Sequence, residues 1–142
     1  MMETVQFIHS YWAYLVLLVL VAATFNALFK FIGDKEFDAK DFRISLFALI
    51  TMHIQLLIGV VLYFTKGYFD ENSIGEVMKN DSLRKLAVEH PTTMIIAVAL
   101  VTIGYSKHKK KLVSKPKFKM LAVFYSIALA LVLYMIPWNL WF

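Results

Sequence analysis

Residues 86–138 read LAVEHPTTMIIAVALVTIGYSKHKKKLVSKPKFKMLAVFYSIALALVLYMIPW and contain two apolar runs separated by a lysine-rich segment. Each run has the length that a bilayer requires, about 20 apolar residues at a rise of about 1.5 Å per residue. Two similar runs precede them, from about Trp12 to Ile32 and from Phe42 to Phe64. We therefore predict an all-α fold, an integral membrane up-and-down four-helix bundle in one domain spanning residues 1–142, with helices over about residues 5–32, 42–67, 82–106 and 117–139.

The composition agrees with a membrane protein. Hydrophobic residues make up 60% of the chain, whereas a typical soluble domain is only about 45–50% apolar. The chain has no cysteine, which excludes disulfides, thiolate metal sites, iron–sulfur clusters and covalently attached c-type haem. The sequence shows no nucleophile paired with a base and no phosphate-binding loop, so nothing in it supports hydrolase, kinase or protease chemistry.

The basic residues predict an orientation. The connection over residues 106–119 contains seven lysines, and the connection from Lys30 to Arg43 contains four basic residues. Both lie on the same side of a four-pass chain, so the positive-inside rule places them in the cytoplasm. We predict a multi-pass protein of the bacterial inner membrane with its N- and C-termini outside. The net charge of +5 then reflects topology and contact with the lipid bilayer, and no nucleic acid partner is expected.

Two residues are expected to mark helix ends at the lysine-rich side. Gly33 is placed to end the first helix, and Asp41 is placed to cap the second.

Three of the four histidines, His9, His53 and His90, lie in or at the mouth of apolar runs. An imidazole in a bilayer costs free energy unless it has a partner, so each of these residues is a candidate for a functional site. His108 lies inside the lysine run and is expected to be solvated. His9 and His90 each head a stripe of mostly small residues, the kind of face on which membrane helices pack: Ala13, Val16, Leu20, Ala23 and Ala27 on the first helix, and Thr93, Ala97, Val101 and Gly104 on the third.

The first and third helices of such a bundle are parallel and diagonally opposed. His9 and His90 should therefore lie at similar depth and face one another. Two imidazoles that bind one iron need backbones on the order of 12–14 Å apart, which suits a diagonal better than the about 8–10 Å between adjacent helices. We predict haem b held through its iron by His9 and His90. His53, which lies deeper in the membrane, is the third candidate for an axial ligand.

Charged residues near the predicted outer surface suggest further contacts. Arg84 and Lys85, together with Lys66, lie on the side where haem propionates need cations. Glu89 precedes His90 and is a candidate hydrogen-bond partner for a ligating imidazole.

Other interpretations of the histidines remain open at this stage. Each of the three imidazoles is also explained by structural hydrogen bonding within the bundle. The leading prediction is electron transfer with quinol or a respiratory membrane complex, and an electron-transfer or accessory protein is favoured over a stand-alone enzyme. One alternative is a non-catalytic accessory subunit of a larger membrane complex. Another is a site for quinone, or for copper or zinc bound by His9, His90 and Glu89.

Three segments carry a resemblance to known proteins: MHIQLLIGVVLYF (52–64), VEHPTTMIIAVALVTIGYSK (88–107) and KMLAVFYSIALALVLYMIPW (119–138). Over nearly the whole chain the sequence resembles small four-helix membrane proteins of Bacteroidetes-type bacteria labelled cytochrome b-like. The family's His-Ser pair on the first helix matches His9-Ser10, its second-helix histidine matches His53, and its Glu-His pair matches Glu89-His90. Tyr11 and Phe7 replace a glycine and a histidine that are usual there. More loosely, the layout is similar to one half of the haem A synthase family. The resemblance implies b-type haem bound by these histidines.

Overall fold

The computed structural model describes the backbone of residues 2–141 and the side chains of residues 2–139. All regular secondary structure in this part of the chain is helical: α1 (Met2–Ile32), α2 (Ala39–Lys66), α3 (Ile74–Lys79), α4 (Asp81–Arg84), a π-helix (Lys85–Glu89), α5 (His90–Lys110), α6 (Ser114–Met135) and α7 (Trp138–Trp141). The predicted all-α class is confirmed.

Four helical stretches are long and apolar enough to cross a membrane. They are α1, α2, α6 and the continuous stretch Asp81–Lys110. The fourth predicted helix was too long at its C-terminal end, because α6 stops at Met135. Ile136 precedes Pro137 and takes an extended conformation with ψ of 129°, as steric clash with a following proline ring demands.

The start of α2 differs from the prediction by three residues. Asp38 is the capping residue, and its carboxylate accepts hydrogen bonds from the backbone N–H groups of Lys40 and Asp41. Asp41 is the third residue of the helix, and its Oδ2 accepts a hydrogen bond from the N–H of Asp38 at 2.9 Å. Asp41 therefore completes a capping box instead of capping the helix itself. The end of α1 is as predicted, since α1 ends at Ile32, immediately before Gly33.

Each long helix packs against two neighbours in the order α1, α2, α5, α6 and back to α1, so α1 and α5 lie on a diagonal. The predicted stripes face the core. The buried residues of these two stripes are Val16, Leu20, Ala23 and Ala27 on α1, and Ala97, Val101 and Gly104 on α5. Large apolar side chains cover the outside of the bundle, as a lipid-facing surface requires; Leu18, Leu57 and Phe64 are 68%, 67% and 76% exposed.

The two ends of the bundle differ in chemistry. The end where α1 and α5 begin carries His9 and His90 and is called the histidine end below; the end where α5 stops and α6 begins is called the lysine end. At the lysine end Asp41 is 1% exposed and pairs with Lys30 at 2.8 Å. Asn26 donates a further bond to the same Oδ1 atom at 2.8 Å. These partners compensate a carboxylate that would otherwise be costly to bury.

The expectation that His108 is solvated was wrong. Its side chain is 0% exposed and packs against Phe37, Phe42 and Tyr105, with ring centres 5.5, 6.2 and 4.9 Å away. Nδ1 donates to the carbonyl oxygen of Tyr105, and Nε2 is buried without a hydrogen-bond partner in the described residues. The neighbouring lysines point elsewhere because His108 lies one helical turn after Gly104, on the core side of α5.

Candidate functional site: a histidine-lined cavity

His9 and His90 face one another at the histidine end. Their ring centres are 6.4 Å apart and their planes are inclined by 77°. His9 lies two turns into α1, and His90 is the first residue of α5. The predicted juxtaposition is confirmed: parallel helices on a diagonal bring the two imidazoles together although they are far apart in the sequence.

Both imidazoles line a cavity of about 650 Å³ that is formed by all four long helices. This volume lies within the about 300–1,000 Å³ that is usual for ligand sites. The walls are mostly apolar but carry nine polar or charged residues. Those used below are His9, Gln55, Tyr63, Lys66 and His90.

The orientation of His90 is fixed by the end of α6. Its Nδ1 atom lies 3.0 Å from the carbonyl oxygen of Met135. This carbonyl belongs to the last residue of α6, so no helical N–H group four residues later occupies it. A carbonyl oxygen only accepts, so Nδ1 carries the proton and Nε2 keeps its lone pair. Histidines that bind metals are usually oriented by such a bond.

The backbone before His90 adopts one turn of π-helix, in which the N–H of His90 donates to the carbonyl of Lys85. Pro91 has no N–H, so it cannot bond the carbonyl of Ala87, four residues earlier. The Tyr63 hydroxyl donates to this carbonyl instead, at 2.7 Å. The bond ties α2 to the π-helical segment beside the cavity.

His9 is less constrained than His90. Its Nδ1 atom is buried and has no hydrogen-bond partner among the described residues. Gly59 on α2 allows the ring to lie close: a Cβ at this position would be 3.3 Å from Cε1 of His9. The amide of Gln55 donates from Nε2 to the backbone carbonyl of His9 at 2.8 Å, while its Oε1 is buried without a partner in the same part of the chain. Unpaired polar atoms in a buried wall cost about 1–3 kcal/mol each, which favours a ligand that pairs with them.

The charged residues considered for haem contacts are arranged differently from the prediction. Glu89 does not bond the imidazole of His90; its carboxylate pairs with Nε of Arg84 at 2.7 Å. Arg84 also bonds Asp81 at 3.1 Å and donates to the carbonyl of Met78 at 2.9 Å. Neither Arg84 nor Lys85 is among the residues that line the cavity, whereas Lys66 is.

His53 lies apart from the other two histidines. Its side chain is on the exposed surface of α2 and is not among the cavity residues. Nδ1 lies 2.8 Å from the carbonyl of Leu49, one turn earlier. Nε2 lies 3.3 Å from the hydroxyl oxygen of Thr102 on α5. That hydroxyl donates its hydrogen to the carbonyl oxygen of Val98 at 2.7 Å. The structure therefore brings two of the three candidate histidines together and leaves the third outside.

Among the described residues, no group of three or more histidine, cysteine, aspartate or glutamate side chains is arranged to hold a metal ion. The set of His9, His90 and Glu89 is not assembled, because Glu89 pairs with Arg84.

Gln55, Gly59 and Tyr63 were not assigned to the site from the sequence, although a signal was present. They follow one another at four-residue spacing and so form one face of α2. Lys66 follows one turn after Tyr63. The carbonyl of Met135 carries no side-chain signal, and only its position before Pro137 marks a helix end with a free acceptor.

The site offers two imidazoles, an amide and an ammonium group around an apolar space. This combination suits an apolar ligand that is bound through an iron or through hydrogen bonds at its polar edge. Comparisons of the chain with known protein families, with curated proteins and with solved structures find no match.

Proposed function

We propose that this chain is an integral membrane protein that binds b-type haem through His9 and His90 and takes part in electron transfer. The separation of the two rings carries the proposal. Two imidazoles that bind one metal ion from opposite sides have ring centres about 6–6.5 Å apart, because each metal–nitrogen bond is about 2.0–2.1 Å long. The observed separation of 6.4 Å agrees with this value.

The surrounding residues also suit this group. The bond from Nδ1 of His90 to Met135 leaves Nε2 as the ligating atom. Gly59 leaves room for the His9 ring, and mostly apolar walls suit a flat apolar ligand. Haem, when bound, would supply one-electron redox chemistry; His9 and His90 would hold it, and the bond to Met135 would orient His90.

The distribution of charge supports the membrane setting. The seven lysines of residues 106–119 lie at the end opposite the cavity. By the positive-inside rule, the lysine end faces the cytoplasm and the histidine end faces outward from the bacterial inner membrane. Both termini are then outside. An electron partner that reaches the cavity is either quinol in the bilayer or a respiratory complex that packs against the bundle.

Quinone binding without haem is the second candidate, and one observation favours it. The two unpaired buried atoms of the wall, Nδ1 of His9 and Oε1 of Gln55, form a donor and acceptor set that suits a quinone or quinol oxygen. In that case the histidines bond an organic ligand and no iron is bound.

An absorption spectrum separates the two candidates. The protein is expressed with added haem precursor, purified in detergent and measured in the oxidised and the dithionite-reduced states. We expect about one haem per chain with sharp b-type bands and a low-spin oxidised form, as two nitrogen ligands produce. A folded, helical protein that stays colourless would contradict the proposal, and quinone in its solvent extract would then favour the second candidate.

A further inference from the structure

Lys66 occupies an unusual position at the rim of the cavity. It is the last residue of α2, it is partly buried, and it lines both the cavity and a smaller polar hollow beside it. No hydrogen bond or ion pair of its ammonium group occurs within the described residues. A partly desolvated cation beside an apolar space attracts an anionic group of whatever occupies that space.

The other basic residues at the histidine end do not share this position. Arg84 is engaged by Glu89, Asp81 and the carbonyl of Met78. Lys79 and Lys85 do not line the cavity. Of the basic residues at this end, only Lys66 both lines the cavity and has no hydrogen-bond or ion-pair partner in the described part of the chain.

The polar hollow limits where a negative charge can lie. Asp70 and Glu71 are among its lining residues, together with Tyr68 and Lys66. The carboxylates of Asp70 and Glu71 repel an anion that extends from the cavity into this hollow. Neither carboxylate comes within ion-pair distance of Lys66. The most favourable place for an acid group is therefore the cavity side of Lys66.

We infer that Lys66 binds the carboxylate groups of the ligand in this cavity, so that a flat apolar cofactor is held with its acidic edge toward the histidine end. This inference rests on the proposed haem function. Of the three basic residues that the sequence suggested for the propionates, it assigns the contact to Lys66 and not to Arg84 or Lys85.

Haem and its dimethyl ester provide the test, because the ester has the same ring and iron but no carboxylate charge. The purified apoprotein in detergent is titrated with each ligand, and the ratio of the two affinities is compared between variants, so that partition into micelles cancels. We expect the haem-to-ester affinity ratio of the wild type to exceed that of Lys66→Met by about tenfold or more, the range of a charge-assisted contact; this excess is the preference tested below. Lys66→Met should remove the preference while the low-spin spectrum of bound haem is kept.

Lys85→Met is the matched control and should keep the preference. Lys66→Arg should also keep it, and this variant covers the case in which Lys66→Met fails to fold. The inference is overturned if Lys66→Met retains the wild-type preference or if Lys85→Met loses it. A wild type that binds neither ligand overturns the haem function as well, whereas low-spin binding without a preference overturns only the role of Lys66.

Discussion

The Nδ1 atom of His90 lies 3.0 Å from the carbonyl oxygen of Met135, so the C-terminal end of α6 orients the imidazole at the start of α5. His9 has no equivalent bond, since its Nδ1 is buried without a partner among the described residues. The two rings therefore differ in freedom. A hydrogen bond holds the ring of His90 through Nδ1 and leaves its Nε2 free of that bond, whereas no such bond holds the ring of His9.

The contact between Gly59 and His9 predicts a specific effect of side-chain size. Gly59→Leu should lower haem content by about tenfold or more, equivalent to about 1.4 kcal/mol, because a side chain there enters the space of the His9 ring. The thermal unfolding of the apoprotein should change little. Haem-to-protein ratio and thermal unfolding followed by circular dichroism measure the two effects.

Gly104→Ala is the control, and it should lower thermal stability instead of haem content. A Cβ at Gly104 would lie 2.5 Å from Cβ of Phe124, so α5 and α6 must separate and the unfolding temperature should fall. Full haem content in Gly59→Leu would refute the proposed position of the ligand beside His9.

His108 is predicted to stabilise the fold without contributing to the site. His108→Ala removes a fully buried ring from between Phe37 and Tyr105. It should lower the free energy of unfolding by about 2–4 kcal/mol, as large-to-small changes in cores do. The haem spectrum should be unchanged, because His108 lies at the lysine end. Lys107→Ala, at an exposed neighbouring position, serves as the control, and equal stability of the two variants would show that His108 is solvated after all.

The predicted orientation can be measured with fusion reporters. A reporter placed after Lys111 should be cytoplasmic, and one placed after Asn72 should be external, because the lysine-rich connection remains inside. The reverse pattern would place the histidine cavity on the cytoplasmic side and would exclude an outward-facing site.

The helices and the pairing of His9 with His90 were predictable from the sequence because both follow from simple periodicities. Apolar runs of bilayer length define the helices, and parallel first and third helices bring two residues near their starts to the same level. The sequence also contains a signal for the core position of His108. This residue continues the three- and four-residue spacing of one helix face, which includes Val101, Gly104 and Tyr105. Its lysine neighbours concealed that pattern.

The contacts that complete the site were not predictable because they depend on where helices end. The partner of His90 is a backbone carbonyl, which is chemically identical at every residue and is free only because α6 stops at Met135. Likewise, Lys66 lines the cavity and Lys85 does not, and this difference depends on which helix end borders the cavity. The carboxylate of Glu89 pairs with Arg84, five residues earlier in the chain. Residue type alone does not distinguish these arrangements.

The low-spin signal of three single variants tests the assignment of the haem ligands. His9→Ala, His90→Ala and His53→Ala are purified with added haem, and the oxidised state of each is measured by electron paramagnetic resonance together with the reduced absorption spectrum. Loss of the low-spin signal in His9→Ala and in His90→Ala, with the signal retained in His53→Ala, is the predicted result, because only the first two side chains line the cavity. A His53→Ala variant that loses all haem, beside a His9→Ala variant that keeps the wild-type signal, would contradict it.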